Sequence, residues 1–82
     1  MKVTKRQAEY LAYIYYYTKL HGRAPAEHEI MNYFKVSPPS VHQMVLSLEK
    51  NSFISRIPGQ SRSIEITIPE AELRELKRMA DF

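Results

Sequence analysis

The side chains with the most chemical potential in this sequence are His21, His28 and His42, the carboxylates Glu27 and Glu29, and Gln43 among the hydroxyls of Ser37, Ser40 and Ser47. The histidines fall in three separate segments, and there is no cysteine to join them, so neither a metal centre nor a disulfide framework is expected. No nucleophile stands where a base would activate it, and no Gly-rich loop is present to cradle a nucleotide phosphate. Glu27 and Glu29 are more economically read as carboxylates at a helix start, where the macrodipole favours negative charge, than as an acid/base pair. An enzyme is therefore not expected, nor a cofactor. Gln43 has a different capacity. Its amide can donate and accept at once, matching N7 and N6 of adenine in a duplex major groove, a pairing that discriminates by about 1–3 kcal/mol. His42 can donate to guanine or to a phosphate, and Pro39 can touch a thymine methyl.

These residues need an element to present them. Ser37 can cap a helix and Pro38 suits its first position, where a missing N–H costs nothing. A helix over 38–50 then places Val41, Val45 and Leu48 inward with Met44 flanking. Ser40, Gln43 and Ser47 point outward, with Ser37, Pro39 and His42 at the leading end.

Upstream, Thr4 and Gln7 have capping-box spacing and open a first helix that ends at His21-Gly22. Leu11, Ile14 and Thr18 should share its inner face, with Tyr10 and Tyr17 beside them. Pro25 separates it from a short helix over about 26–34 with Ile30, Met31 and Phe34 as its stripe. Ala26 is a poor cap for that helix.

Downstream the period changes. Residues 53–57 and 63–68 read as two strands joined by Pro58-Gly59-Gln60-Ser61, which has turn chemistry. Pro69 ends the second strand, and a last helix over 69–80 carries Leu73, Leu76 and Met79 as a thin apolar stripe. The order predicts a mainly α chain with a small β-hairpin: a winged helix-turn-helix of three helices plus wing over residues 1–68, with a C-terminal helical tail over 69–82.

Composition agrees with one small domain. The 82 residues are 44% apolar, enough for a single modest core, and no run is long enough to span a membrane. With no apolar leader after Met1, a cytoplasmic protein is the default expectation. Net charge is +3, and it is uneven: residues 1–66 hold nine Lys/Arg against five Glu, residues 67–82 three against four Asp/Glu. A basic body suits a polyanion, though many inert proteins are as basic.

The stretch from Thr4 to Ile68, about four-fifths of the chain, resembles the N-terminal DNA-binding domain of LexA-type repressors. The resemblance rests on Thr4-x-Arg6-Gln7, Gly22-x-x-Pro25, Glu29-Ile30, Ser37-Pro38 and Gly59-x-Ser61-Arg62-x-Ile64, in that order and spacing. It implies a prokaryotic, sequence-specific transcription regulator that binds double-stranded DNA as a repressor and homodimer. In this fold the third helix enters the major groove and the wing lies near the backbone. Base contacts then fall to Ser37, Pro39, Ser40, His42, Gln43 and Ser47. Backbone contacts fall to Lys5, Arg6 and Lys35, to Arg56, Gln60, Ser61 and Arg62 in the wing, and to amides opening the first and third helices. Arg56 and Arg62 are assigned to DNA because a wing tip has little structural use for them. Lys2, Lys19 and Lys50 read as solubilising charges.

Two features depart from the family. No self-cleaving domain with its Ser/Lys pair follows within these residues, so self-cleavage is not expected, and the chain is more similar to short stand-alone relatives with a Pro-Glu-x-x-Leu tail. The family's polar and acidic recognition residues are replaced by Pro39, Ser40, His42 and Gln43, which makes the LexA operator a poor guess for the target.

Tyr10, Tyr13, Tyr15, Tyr16 and Tyr17 crowd the first helix beyond what one face can bury. Two arrangements are open: Tyr13, Tyr15 and Tyr16 with Leu73, Leu76 and Met79 form a dimer surface, or the last helix folds back and covers them within one chain. The competing functional class is a winged-helix module that binds protein, since the third helix has no Arg or Lys before Lys50 and fold alone does not decide function. Single-stranded RNA binding by tyrosine stacking fits less well, because such platforms sit on sheets or in grooves.

Overall fold

The first three helices each begin with a local device of their own. In the computed structural model, which describes residues 3–80, helix α1 spans Lys5–His21. The Gln7 amide donates to Thr4 Oγ1 and the Thr4 amide to Gln7 Oε1, both at 3.0 Å, completing the capping box. Gly22 closes the helix in the left-handed region (φ 72°), its amide donating to Thr18 O. Thr18 is not a core residue: it is exposed, and its hydroxyl donates back to Ile14 O at 2.8 Å.

Helix α2, Glu27–Phe34, makes up for its weak Ala26 cap from the other side. Glu29 accepts the Ala26 amide at 2.8 Å, so the reciprocal half of a capping box serves where the cap side chain has no oxygen. Helix α3, Pro38–Lys50, starts on Ser37, whose Oγ accepts the Ser40 amide at 3.3 Å. It buries Val41, Val45 and Leu48 as its periodicity requires.

The wing is shorter as a ladder than its sequence reads. Among the described residues only β1 (Ile54–Ser55) and β2 (Glu65–Ile66) pair, antiparallel, with Ile54 opposite Ile66 and Ser55 opposite Glu65. Toward the tip the expected strands over 53–57 and 63–68 stop because Ser63 replaces the ladder, while at the root the Thr67 amide still donates to Phe53 O at 3.1 Å. The Ser63 hydroxyl takes the Ile57 amide at 2.9 Å and reaches the Gln60 carbonyl at 2.9 Å. Gly59 (φ 79°) and Arg62 (φ 60°) bend the loop through left-handed backbone that a strand cannot adopt.

Helix α4, Glu70–Ala80, packs along α1, its main partner. Leu73, Leu76 and Ala80 are its buried side, and Met79, expected in that stripe, is 40% exposed. The boundary expected at Pro69 separates elements, but these α4 residues join one buried cluster with Leu11 and Ile14 of α1, Val45 and Leu48 of α3, and Ile54 and Ile64 of the wing. Lys2 lies outside the described residues. No helix among those described is long and apolar enough to cross a membrane.

Candidate nucleic-acid interface

With Val41, Val45 and Leu48 turned into the core, α3 presents Pro39, Ser40, His42 and Gln43 to solvent. Ser47 is half-buried, accepting from Gln7 Nε2 at 3.3 Å. Together with Thr4 and Gln7, the residues Pro39, Ser40, Gln43, Met44 and Ser47 line one shallow groove, so the start of α1 borders the outward face of α3. A second cleft, of about 430 Å³, joins the other flank of that face to the wing, lined among others by Glu27, His28, His42, Arg56, Gln60 and Ser61. The leading end of α3 and the wing tip therefore lie on one side of the molecule.

The polar groups on this side differ in how committed they are. Ser37 and Ser40 share a hydroxyl–hydroxyl bond of 2.9 Å, and His42 Nδ1 lies 3.2 Å from Glu27 Oε1. The Gln43 amide has no hydrogen-bond partner among the described residues, and the residue is exposed. Lys5 and Lys35 are exposed with no ion-pair partner among the described residues, and Gln60 and Ser61 are exposed at the wing tip.

The three arginines expected to contact DNA are each engaged within the chain. Arg6 pairs with Glu9 at 3.1 Å and lies over the Phe34 ring at 4.9 Å and the Tyr10 ring at 5.6 Å. Arg56 Nε donates to Glu49 at 3.1 Å, with its side chain only 15% exposed. Arg62 Nη1 faces Glu29 Oε1 at 2.6 Å, Tyr17 Oη at 3.3 Å and Ala24 O at 3.4 Å. The premise that a wing tip has little structural use for these two residues does not hold. Nothing nearby in sequence announces it, since Arg62 meets its partners across 33, 38 and 45 positions.

The expectation of backbone amides at the start of α3 is also corrected. Pro38 and Pro39 have no N–H, the Ser40 amide is held by Ser37 Oγ, and the Val41 amide donates to Ser37 O at 3.1 Å. That missing donor set was visible in the Pro-Pro pair itself.

Glu29 has the most strongly altered titration. The Tyr17 hydroxyl, then the Ala26 amide, then the Arg62 guanidinium favour its charged form and hold its pKa at about 2, against an ordinary 4.5. A depressed folded-state pKa stabilises the fold fully above the ordinary carboxylate range, and the contribution is lost as pH falls towards 2. Thermal melts should accordingly show Glu29→Gln less stable than the parent at neutral pH, with the gap closing between about pH 4.5 and 2. A gap that persists unchanged across that window would exclude this linkage.

The tyrosine arrangement is resolved for one chain. Tyr13 packs on Tyr33 with ring centroids 4.4 Å apart, and Lys77 Nζ sits 4.3 Å from the Tyr15 ring. Leu73 and Leu76 are 4% and 2% exposed against their own chain, so they are not open surface. Tyr16 and Met79 keep substantial exposure. Among the described residues no group of three or more His, Asp or Glu side chains could hold a metal ion.

Comparison with known proteins places this geometry. The LexA DNA binding domain family model matches residues 1–63. The LexA repressor of Thermosipho melanesiensis is 37% identical over 65 residues, and that of Thermosipho africanus 38% identical over 65, each covering 79% of this chain and 33% of the relative. The LexA repressor of Petrotoga mobilis is 32% identical over 80 residues, covering 96% of this chain and 38% of its own length. The chain thus spans about a third of the length of these bacterial relatives. With its capped helices, outward α3 face and wing, and with that match over most of its length, the chain belongs to the LexA DNA-binding domain family.

Proposed function

We propose that this chain is a transcriptional repressor's DNA-binding unit, reading a specific duplex site with α3 in the major groove and holding the backbone with the wing and the start of α1. The observation that carries the reading is the exposed Gln43 amide, without a protein partner among the described residues, on the same side as the wing tip. Ser37, Pro39, Ser40, His42 and Ser47 flank it as the remaining base-facing candidates. Lys5, Lys35, Gln60 and Ser61 are the backbone contacts best disposed to act, and Arg6, Arg56 and Arg62 first serve the fold. Two copies on two-fold-related half-sites would supply the contact area that one small module lacks. Leu73 and Leu76 are covered within the chain, so such a pair would have to meet elsewhere.

Fluorescence anisotropy on duplex DNA over a salt series tests the reading. Affinity should fall steeply with salt. Lys35→Ala should weaken all sequences alike and lower the magnitude of the log–log slope by about 0.9, the value of one lost phosphate contact. Wild-type binding no tighter than the roughly 10⁻⁴–10⁻⁶ M of non-specific contact would instead assign the α3 face to a protein partner.

A further inference from the structure

We propose that Arg62 serves DNA binding by fixing the wing and not by touching a phosphate, which makes the carboxylate of Glu29 and the hydroxyl of Tyr17 positioning groups for the DNA interface. The inference rests on the DNA-binding reading above and deepens it.

The root of the wing is anchored, with Phe53, Ile54, Ile64 and Ile68 buried in the core and the Thr67 amide donating to Phe53 O at 3.1 Å. The tip of the wing has little backbone bonding to the rest of the chain. Its ladder is two residues on each side, and the loop beyond is closed on itself by Ser63. Two side-chain tethers tie it to the helices among the described residues: Arg56 to Glu49 of α3 at its root, and Arg62 nearer the tip. The second tether joins three segments at once. Glu29 of α2 takes Arg62 on one oxygen and the Tyr17 hydroxyl of α1, at 2.6 Å, on the other. The carbonyl of Ala24, in the α1–α2 connection, also lies within reach of Arg62.

Glu29 is itself held. Its Oε1 also receives the Ala26 amide, so the carboxylate cannot swing away without uncapping α2. Arg62 reaches it from left-handed backbone (φ 60°), a conformation that side-chain-bearing residues rarely adopt without such compensation. Both side chains are about three-quarters covered, at 28% and 25% exposure, so water competes poorly for the pair.

This arrangement reverses the usual electrostatic expectation. Removing a negative charge beside a DNA-binding face should tighten binding, and removing Glu29 should also free Arg62 for a phosphate. If the pair positions the wing, Glu29→Gln weakens binding instead, because the wing spends less time in its binding pose. A pose held a tenth of the time raises the apparent Kd about tenfold. The salt slope stays put, since no phosphate contact is lost.

The test is a double-mutant cycle of Glu29→Gln and Arg62→Ala in the full chain, read by anisotropy on mixed-sequence duplex over a salt series, with melting curves to confirm that each variant is folded at the temperature used. Expected are losses of about tenfold for each single variant, an unchanged slope, and a double variant no weaker than either single. Equal or tighter binding by Glu29→Gln, or a slope reduced by about 0.9 in Arg62→Ala, overturns the proposal. Should Glu29→Gln not fold, Arg62→Gln decides: it removes the cation that pairs with Glu29, so weakened binding at constant slope supports the lock, and wild-type affinity or a reduced slope overturns it. Absence of binding by the wild type would overturn the DNA reading and this inference together, whereas wild-type binding with an indifferent Glu29→Gln overturns this inference alone.

Discussion

Gln43→Ala is expected to bind mixed-sequence duplex about as tightly as the parent and to lose its preference at one base position of the selected site. Gln43 stands clear of the core. Its side chain is exposed on the outward face of α3 and makes no hydrogen bond with the described residues, so truncation should cost the fold little. In the major groove the same amide can satisfy both edge groups of an adenine, about 1–3 kcal/mol or roughly 5- to 150-fold in preference. Its neighbours cannot substitute. Ser40 is short and bonded to Ser37, His42 faces Glu27, and Pro39 has no donor. Competition binding with all four base pairs at each site position reads the effect. A variant with the parental preference intact would place sequence reading on other residues.

The other large effect concerns the fold. Leu76→Ala should lower the free energy of unfolding by about 2–5 kcal/mol, because a fully packed leucine leaves both lost contacts and a cavity when truncated. Leu76 is 2% exposed where α4 lies on α1, within the same buried cluster that backs α3. For a domain whose whole stability lies toward the low end of about 5–15 kcal/mol, that loss approaches unfolding. Chemical denaturation of the parent and variant measures it. If α4 were only an appendage, Leu76→Ala would melt with the parent, and the buried cluster would not be one cooperative unit.

The parts of the structure that could be read from the sequence are those fixed within a few residues. Thr4 with Gln7, Gly22, and Ser37 with Pro38 each act through one turn of chain, and each does what its spacing predicts. The inward faces of α2 and α3 follow from apolar period alone. What could not be read depends on side-chain partners that no helical or strand period pairs, some of them far apart in the chain. Arg62 and Arg56 look like free cations in sequence, yet the fold brings Glu29 and Glu49 to them. The wing looks like two longer strands because Ile64, Ile66 and Ile68 alternate with polar residues and residues 53–57 are rich in β-formers, while Ser63 takes over the bonds at the tip. Ala26 seems a defect until Glu29 is placed, three residues on, and Glu29 then serves cap and wing together. Along the outward face of α3, exposure and order were legible in residues 37–47. The half-buried Ser47–Gln7 contact was not, because it spans 40 positions.

The central claim is that duplex DNA meets the side of the molecule carrying the outward face of α3 and the wing tip. Amide chemical-shift mapping of the labelled chain, titrated with duplex DNA at low salt, tests it most directly. The account predicts shifts clustered at Ser40, His42, Gln43, Gln60 and Ser61 and at the start of α1, all fading as salt rises. Shifts confined to the α1–α4 side around Tyr16 and Met79, or no shifts at all, would contradict it.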